Sequence, residues 1–557
     1  MAKQTKKNKK AAAETEDLTL ITAESKTKKK SIFWVVVFAL FKWVVIALSA
    51  LVVGVSLGSA FLANNKFWGA WLGIFVFAIV LNNFKKLLST VIYSFIVGLI
   101  FNLVLLYWIF ATVQFGTQDQ FLSYLSLFGL SAVMSLQFIL FGFFYFFLRK
   151  LTWVLPLAAA SLWVSIEFLH QLIALYLFAF PWFVLGYSQF EILPLIQISS
   201  VTGAYGVSFI IVFVCFSVAM IIGAYKKRQK LVYILLSVLL LVLNILYGRS
   251  EIRNQLDFIT TSPKQIRVAL MQPNTHGLIL MGYKEEVLNS LSKQLLALEG
   301  KEVEFVIWPE TSFDGSFTSP ENQKFIKDVS RKYKAPQLFG GSEVKDEDYY
   351  VSAGLFTEEG LIDSYQKNKL VPFGEFLPFQ KILGGFYKSK GITSLTGDFK
   401  EGNDTGKNLV LDLGYTSYPF ATNICFESLF PKIWRNQAKE GAQFFVNISN
   451  DGWFLETAAP LQHLRINVFR AIENRRPILR ATTTGYSAWI DSLGKIRFRS
   501  GNLFTQETAI FDFIFQNRNK KTIYTTYGDI FALICVFLTI SFWAVAIAFY
   551  IQDIYGE

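Results

Sequence analysis

The chain has 557 residues, of which 53% are apolar, and it carries a formal net charge of +12. Soluble globular proteins contain about 45 to 50% apolar residues, so this composition excludes an ordinary soluble protein. A basic excess can indicate nucleic-acid binding, but the cytoplasmic loops of a membrane protein also collect basic residues, and we expect no nucleic-acid partner.

The chain begins with a basic segment. Nine lysines lie among the first thirty residues, with few apolar residues between them. Residues 1–31 are therefore expected to form a disordered cytoplasmic tail. The apolar run that follows is too long for a secretory signal peptide, so we expect it to be retained as an anchor.

Eight apolar runs come close to the roughly 20 residues that a helix needs to cross a bilayer. They lie at 32–61, 67–82, 89–112, 122–148, 152–176, 204–225, 231–248 and 527–551. The polar, proline-broken segment 178–203 is expected to be an extracytoplasmic loop or a re-entrant element. Glu167 and His170 lie within the fifth run, where ionisable residues suggest function, although an interhelical hydrogen bond explains either residue equally well.

Basic residues occur in alternate loops between these spans. They occupy 85–86, 149–150 and 226–230, whereas the loop at 113–121 contains none. Because cytoplasmic loops carry the lysines and arginines, both termini are expected in the cytoplasm. The predicted organisation is a seven-helix membrane domain at 32–248, an extracytoplasmic domain at 249–526, and a last helix with a short tail at 527–557.

The extracytoplasmic region alternates strand-like and helical patterns. The strand-like runs are 266–271, 303–308, 418–424 and 444–449, and the helical runs are 285–298 and 461–473. This alternation over about 250 residues predicts an α/β domain with a buried sheet. In such domains, reactive residues collect where strands end.

Three residues in this region have the chemistry for nucleophilic catalysis. Glu310 directly follows an apolar strand, Lys367 precedes a Gly/Pro-bounded stretch, and Cys425 is the only cysteine outside the long apolar runs. Taken singly, they could be a helix cap, a solvated surface charge and a core thiol. Together they supply a base for a thiol proton, a nucleophile for a carbonyl carbon and an ammonium for an oxyanion.

These three runs resemble the Glu-Lys-Cys triad of the nitrilase superfamily. The segments 370–376 (Leu-Val-Pro-Phe-Gly-Glu-Phe), 449–454 (Ser-Asn-Asp-Gly-Trp-Phe) and Gln462-His463 are also similar to that pattern. Combined with the membrane spans, the chain resembles the apolipoprotein N-acyltransferase family, whose members complete bacterial lipoprotein maturation. The resemblance implies a multi-span helical domain joined to an αββα sandwich.

The resemblance also implies a role for each site residue. Glu310 would be the base, Lys367 the oxyanion stabiliser and Cys425 the nucleophile. Lys367 is preferred over Lys369 because the family lysine stands two residues after a tyrosine. Supporting positions are implied at Glu375, Phe426 and Glu427.

The implied reaction transfers an acyl group from a phospholipid, through a cysteine thioester, to the α-amino group of a diacylglyceryl-cysteine on an apolipoprotein. The implied location is the bacterial inner membrane, as a monomer without a metal or cofactor. Two alternatives use the same three residues: a membrane-bound amidase of nitrilase type, and an acyltransferase with a different acceptor.

One further stretch is unusually apolar for a loop. Such a patch indicates contact with lipid, although core packing would also explain it. Its members are Phe376, Leu377, Phe379, Ile382, Leu383, Phe386 and Tyr387.

Overall fold

A computed structural model describes residues 41–62, 66–176, 180–223, 225–261, 264–313, 315–390, 393–515 and 521–555. The side chains of residues 255–261, 386, 390 and 554 lie outside this description. The basic tail predicted at 1–31 and the first nine residues of the span predicted at 32–61 also lie outside the described residues.

The first half of the chain is helical. Its helices are α1 Phe41–Ser59, α2 Trp68–Asn83, α3 Leu87–Leu105, α4 Trp108–Thr117, α5 Gln120–Met134, α6 Leu136–Leu148, α7 Leu155–Tyr176, α8 Leu193–Ile196, α9 Ser199–Thr202, α10 Tyr205–Ile222 and α11 Lys227–Thr261. The remaining helices are α12 His276–Leu280, α13 Lys284–Leu296, α14 Pro320–Tyr333, α15 Gln380–Lys390, α16 Pro431–Lys439, α17 Ala459–Asn474, α18 Ile523–Tyr527 and α19 Ile530–Tyr555.

Within the described residues, seven helical segments are long and apolar enough to cross a membrane. They agree with the predicted spans, except that the second predicted span is the sixteen-residue helix α2. At 1.5 Å per residue this helix is roughly 24 Å long, somewhat less than the hydrocarbon core. Helix α11 continues past the predicted boundary at residue 248.

The third predicted span is wrong at its end. The sequence predicts one helix over 89–112, but α3 ends at Leu105 and α4 begins at Trp108. The Trp108 indole N–H donates to the side chain of Gln462 (3.1 Å), and the other amide atom of Gln462 donates to the carbonyl of Leu105 (3.2 Å). The break is therefore stabilised by a residue far along the chain, which local hydropathy does not report.

The segment after α7 is mostly buried, and its described part, from residue 180 onward, contains only short helical turns before α10. Its backbone is satisfied by side chains, which allows non-helical structure within a membrane protein. Glu167 accepts hydrogen bonds from the Leu185 amide and the Trp163 indole, both at 2.8 Å. His170 contacts the Gln137 amide group. His170 thus makes an interhelical contact, whereas Glu167 binds a residue of its own helix and the backbone of the irregular segment.

The second half contains two six-stranded sheets. Their strand orders are β12-β1-β2-β3-β4-β5 and β11-β10-β9-β8-β7-β6. The strands are β1 Lys264–Gln272, β2 Phe305–Ile307, β3 Gln337–Lys345, β4 Asp348–Thr357, β5 Gly360–Gln366, β6 Leu409–Asp412, β7 Ser417–Ile424, β8 Phe444–Ser449, β9 Ile478–Thr482, β10 Ala488–Ile490, β11 Ile496–Arg499 and β12 Glu507–Phe515.

The two sheets pack face to face with helices on their outer sides. Apolar side chains from both sheets, such as Phe305 and Phe420 with ring centroids 5.4 Å apart, fill the space between them. Helices α13 and α14 cover the first sheet, and α16 and α17 cover the second. This is the predicted αββα sandwich. Parallel pairing of β1, β2 and β3, and of β7, β8 and β9, brings the carboxyl ends of these strands to the same edges.

Helix α17 joins the sandwich to the membrane helices. All but one of its residues are buried, because one face packs on the second sheet and the other on the membrane half. Arg465 donates to the carbonyl of Leu62 (2.9 Å), and Arg470 donates to the Tyr187 hydroxyl (3.0 Å). A single apolar cluster runs from the membrane helices through α16 and α17 to the sheet.

Candidate active site

Strand ends bring the three predicted residues together. Glu310 follows β2, Lys367 follows β5 and Cys425 follows β7. All three are buried, and the exposed fractions are 6% for Glu310, 0% for Lys367 and 8% for Cys425. A buried lysine requires partners of opposite charge, since an unpaired ammonium is strongly disfavoured in the protein interior.

The Lys367 ammonium lies between two carboxylates. Its Nζ donates to Glu310 Oε1 at 2.9 Å and to Glu375 Oε1 at 2.6 Å. Burial alone would lower the pKa of Lys367, but the charges of Glu310 and Glu375 raise it well above the ordinary value. The lysine is therefore a permanent cation. Lys369 is a different case, because it is partly exposed and pairs with Glu401 at 3.4 Å.

The second oxygen of each carboxylate is also held. Glu310 Oε2 accepts from the backbone N–H of Asn450, and Glu375 Oε2 accepts from that of Val371, both at 2.8 Å. Glu310 is thus not a helix cap. Burial raises the pKa of Glu375, and Lys367 opposes that rise. The two carboxylates and one ammonium fix each other's positions.

Cys425 occupies a strained backbone position. Its φ is +47°, in the left-handed region that side chains other than glycine rarely adopt, and it begins the 3₁₀ turn Cys425–Leu429. Burial raises the pKa of the Cys425 thiol, and the negative charge of Glu310 makes a second, smaller contribution in the same direction. The thiol is therefore protonated at neutral pH, and a base must remove its proton for it to attack.

A buried polar chain supports this turn. His463 Nε2 donates to the carbonyl oxygen of Cys425 at 3.0 Å, and its Nδ1 lies 3.0 Å from Asp451 Oδ1. Arg480 donates to Asp451 Oδ2 at 2.8 Å. Burial and Arg480 lower the pKa of His463, so the imidazole is neutral at pH 7. The segments 449–454 and Gln462-His463 indicated Asp451 and His463, although without a role for either residue, and no sequence signal indicated Arg480.

Glu427 ties the lysine segment to the cysteine segment. Its Oε1 accepts from the backbone N–H of Asn368 (2.6 Å) and the Tyr365 hydroxyl (2.9 Å). Its Oε2 accepts from the backbone N–H of Ile424 (2.7 Å). Burial raises the pKa of Glu427 to about 7. Since Asn368 adjoins Lys367 and Ile424 adjoins Cys425, Glu427 sets the spacing between the lysine and the cysteine.

The cluster lies where the sandwich meets the membrane helices. The ring of Phe426, next to Cys425, stacks on Phe180 of the membrane half with centroids 5.8 Å apart. Trp182 packs on His463 (5.8 Å) and donates its indole N–H to Gln462 (2.7 Å). Aromatic side chains from the membrane half therefore contact the residue next to Cys425 and the histidine that binds the Cys425 carbonyl.

The stretch predicted to contact lipid is partly helical and only partly exposed. Residues 380–390 form α15 rather than a loop. Phe379 is 54% exposed, Ile382 81% and Leu383 37%, whereas Tyr387 is buried and donates its hydroxyl to the carbonyl of Pro378. The inclusion of Tyr387 was wrong, because its ring packs inward. Phe376 and Leu377 are half-buried, and the Phe386 side chain lies outside the described atoms.

Two family models match the chain. The apolipoprotein N-acyltransferase N-terminal domain matches residues 53–217, and the carbon-nitrogen hydrolase family matches residues 267–516. Among solved structures, a nitrilase-superfamily protein of Saccharomyces cerevisiae is 18% identical, with a TM-score of 0.34. That alignment covers 45% of this chain and 90% of the yeast chain.

Two relatives align over most of their own length. The apolipoprotein N-acyltransferase of Geobacter metallireducens is 32% identical over 395 residues, which cover 67% of this chain and 71% of the relative. Apolipoprotein N-acyltransferase 1 of Treponema denticola is 31% identical over 427 residues, which cover 68% and 74%. The chain therefore belongs to the apolipoprotein N-acyltransferase family and is a multi-pass membrane protein with a nitrilase-type sandwich.

Proposed function

We propose that this protein transfers a fatty acyl group from a phospholipid to the α-amino group of a diacylglyceryl-cysteine at the N-terminus of apolipoproteins. In this proposal Cys425 carries the acyl group as a thioester between two half-reactions. Glu310 acts as the base, and Lys367 stabilises the oxyanion.

The observation that carries the proposal is the position of Cys425. It lies beside a buried Glu310–Lys367–Glu375 cluster and also at the junction with the membrane helices. A hydrolase of soluble substrates would need no such junction. A lipid ester, in contrast, can reach a nucleophile whose neighbour Phe426 packs on an aromatic side chain of the membrane half.

The first half-reaction forms the thioester. Glu310 takes the thiol proton as Sγ attacks the ester carbonyl carbon, and the developing oxyanion is stabilised by the Lys367 ammonium and the Phe426 backbone N–H. The bond to the glycerol oxygen then breaks. That oxygen receives the proton from Glu310, so a neutral lysophospholipid alcohol leaves and Glu310 is again ionised.

The second half-reaction consumes the thioester. The neutral amine of the acceptor attacks the thioester carbonyl carbon, and Glu310 accepts a proton from the nitrogen. When the C–S bond breaks, the proton returns to Sγ. The products are an amide on the lipoprotein and the free thiol of Cys425.

We also propose that residues 249–526 form the catalytic domain on the periplasmic side, with both termini in the cytoplasm. Support comes from the distribution of charge. Basic residues lie at the helix ends that are far from the sandwich. They are Lys85 and Lys86 before α3, and Arg149 and Lys150 before α7. Such an end is typical of the cytoplasmic face.

Trapping the acyl-enzyme tests the function. The purified full chain is incubated with phospholipid labelled in its acyl chains, and hydroxylamine-sensitive label on the protein is counted. We expect label in the wild type and in Cys535→Ala, a control at another buried cysteine, and none in Cys425→Ala. Label that survives in Cys425→Ala would refute the thioester. Addition of a diacylated lipopeptide should discharge the label as an amide, and discharge only to free fatty acid would favour an amidase-type hydrolase.

A further inference from the structure

A polar pocket lies among the membrane helices, at the ends of α2, α3 and α6 that are far from Cys425. It is an open cleft of about 440 Å³ between the connections that join α2 to α3, α6 to α7 and α10 to α11. Its lining residues are Asn82, Phe84, Lys85, Arg149, Lys150 and Tyr225.

The length of helix α3 gives the distance between this pocket and the active site. The helix begins at Leu87, beside the pocket, and ends at Leu105, whose carbonyl accepts from Gln462 of the sandwich. Nineteen residues span roughly 28 Å. The pocket is therefore one bilayer core away from Cys425, and a lipid bound there would lie in the opposite leaflet from one that reacts.

The pocket holds hydrogen-bond donors that are fixed in place. Arg149 donates to the carbonyl of Phe84, and its guanidinium lies over the Phe146 ring, 4.1 Å from the centroid. The Asn82 Oδ1 accepts from the Tyr145 hydroxyl at 2.6 Å. Within the described part of the chain, the Asn82 Nδ2 group has no acceptor. A fixed guanidinium and a fixed amide can both donate to the same bound oxygen anion.

The charge of the pocket is not balanced. Lys150 pairs with Asp553 at 2.5 Å. No other ion pair in the described ranges involves a lining residue, so Lys85 and Arg149 keep two uncompensated positive charges. A zwitterionic head group would bring an ammonium close to these cations, whereas an anionic head group would not.

Exposed apolar side chains lie three residues along the chain from two lining residues of the pocket, Lys85 and Tyr225. Leu88, at the start of α3, is 68% exposed, and Ile222, at the end of α10, is 66% exposed. A soluble anion would leave these side chains uncovered. Acyl chains that extend from a head group in the pocket would lie along them.

We propose that this pocket binds the phosphate of an anionic phospholipid in the leaflet opposite to the active site. Arg149, Lys85 and Asn82 contact the phosphate oxygens. The bound lipid is a resident partner and not the acyl donor.

The test measures the apparent Kd of phosphatidylglycerol for the detergent-solubilised full chain by native mass spectrometry. The test pair is Lys85→Gln/Arg149→Gln, in which glutamine keeps a donor for the Phe84 carbonyl. The matched control pair is Lys227→Gln/Arg228→Gln, which removes the same charge from exposed residues at the same membrane end, outside the pocket lining.

We expect the test pair to weaken phosphatidylglycerol binding about 25-fold and the control pair less than threefold. One basic residue near anionic lipid contributes roughly 1 kcal/mol, which is about fivefold per charge. If the double variant does not fold, Lys85→Gln alone should give the fivefold change. Wild-type binding of phosphatidylethanolamine should be weaker than that of phosphatidylglycerol.

Two results would overturn the proposal. Equal loss in the test and control pairs would mean diffuse attraction to the surface and no pocket. Displacement of the lipid by millimolar inorganic phosphate would reassign the site to a soluble anion. Failure of either kind would leave the thioester assay at Cys425 unaffected, because the two sites lie at opposite ends of α3.

Discussion

Replacing His463 should slow thioester formation without unfolding the protein. His463 Nε2 donates to the Cys425 carbonyl at 3.0 Å, and Cys425 has a left-handed φ of +47°. A buried acceptor that loses its donor is disfavoured by about 1 to 3 kcal/mol. If the turn at Cys425 loses that much stabilisation in the conformation from which the thiol attacks, His463→Ala should reduce the rate of thioester formation by about 5- to 150-fold. His463→Gln, whose amide can still donate, should recover part of the rate.

The assay is single-turnover labelling with phospholipid at saturating concentration, together with a thermal unfolding curve for each variant. A purely structural role would lower Tm and leave the rate of the folded fraction unchanged. Because His463 is neutral at pH 7, its replacement should not shift the pH profile of the rate above pH 7. An unchanged rate in a folded His463→Ala variant would refute the reasoning, and so would a shifted profile.

Three further predictions concern the base, the lipid contact and the orientation. Glu310→Gln should abolish acyl transfer, because the protonated thiol of Cys425 then lacks its carboxylate base, and acyl transfer by the folded variant would contradict this. Ile382→Asp should raise KM for phospholipid in vesicles about tenfold with kcat unchanged, whereas Leu296→Asp, an exposed leucine on α13, should have no effect. A cysteine placed at Lys227 should react with an impermeant maleimide only in inside-out vesicles, and reaction in intact spheroplasts would reverse the proposed orientation.

Periodicity and hydropathy predicted the elements that are defined locally. The apolar run at 204–225 is α10, and the strand-like runs at 418–424 and 444–449 are β7 and β8. The side-chain pattern of each of these elements is uniform along its length, and each element packs against neighbours in the same layer of the fold. In such segments, local preference and tertiary packing favour the same structure.

The sequence could not predict contacts between distant segments. The break after Leu105 depends on Gln462, which is 357 residues away. The ion pairs of Lys367 were also only partly predictable. The sequence indicated nearby Glu375 as a partner, but it contained no signal that Glu310 would bind the same ammonium group. The role of His463 required the fold as well, because its acceptor is a backbone carbonyl and carries no side-chain signature.

The apolar cluster that passes through α17 has a consequence for how this protein is made. The sequence shows a polar region that looks separable, but the second sheet shares its core with helices that cross the membrane. A fragment limited to the sandwich would expose the buried guanidinium groups of Arg465 and Arg470 together with the apolar face around them. The packing of the sandwich is therefore complete only when the membrane helices are present. The contacts that support the Cys425 turn, which come from His463 of α17, therefore depend on the membrane half of the same chain.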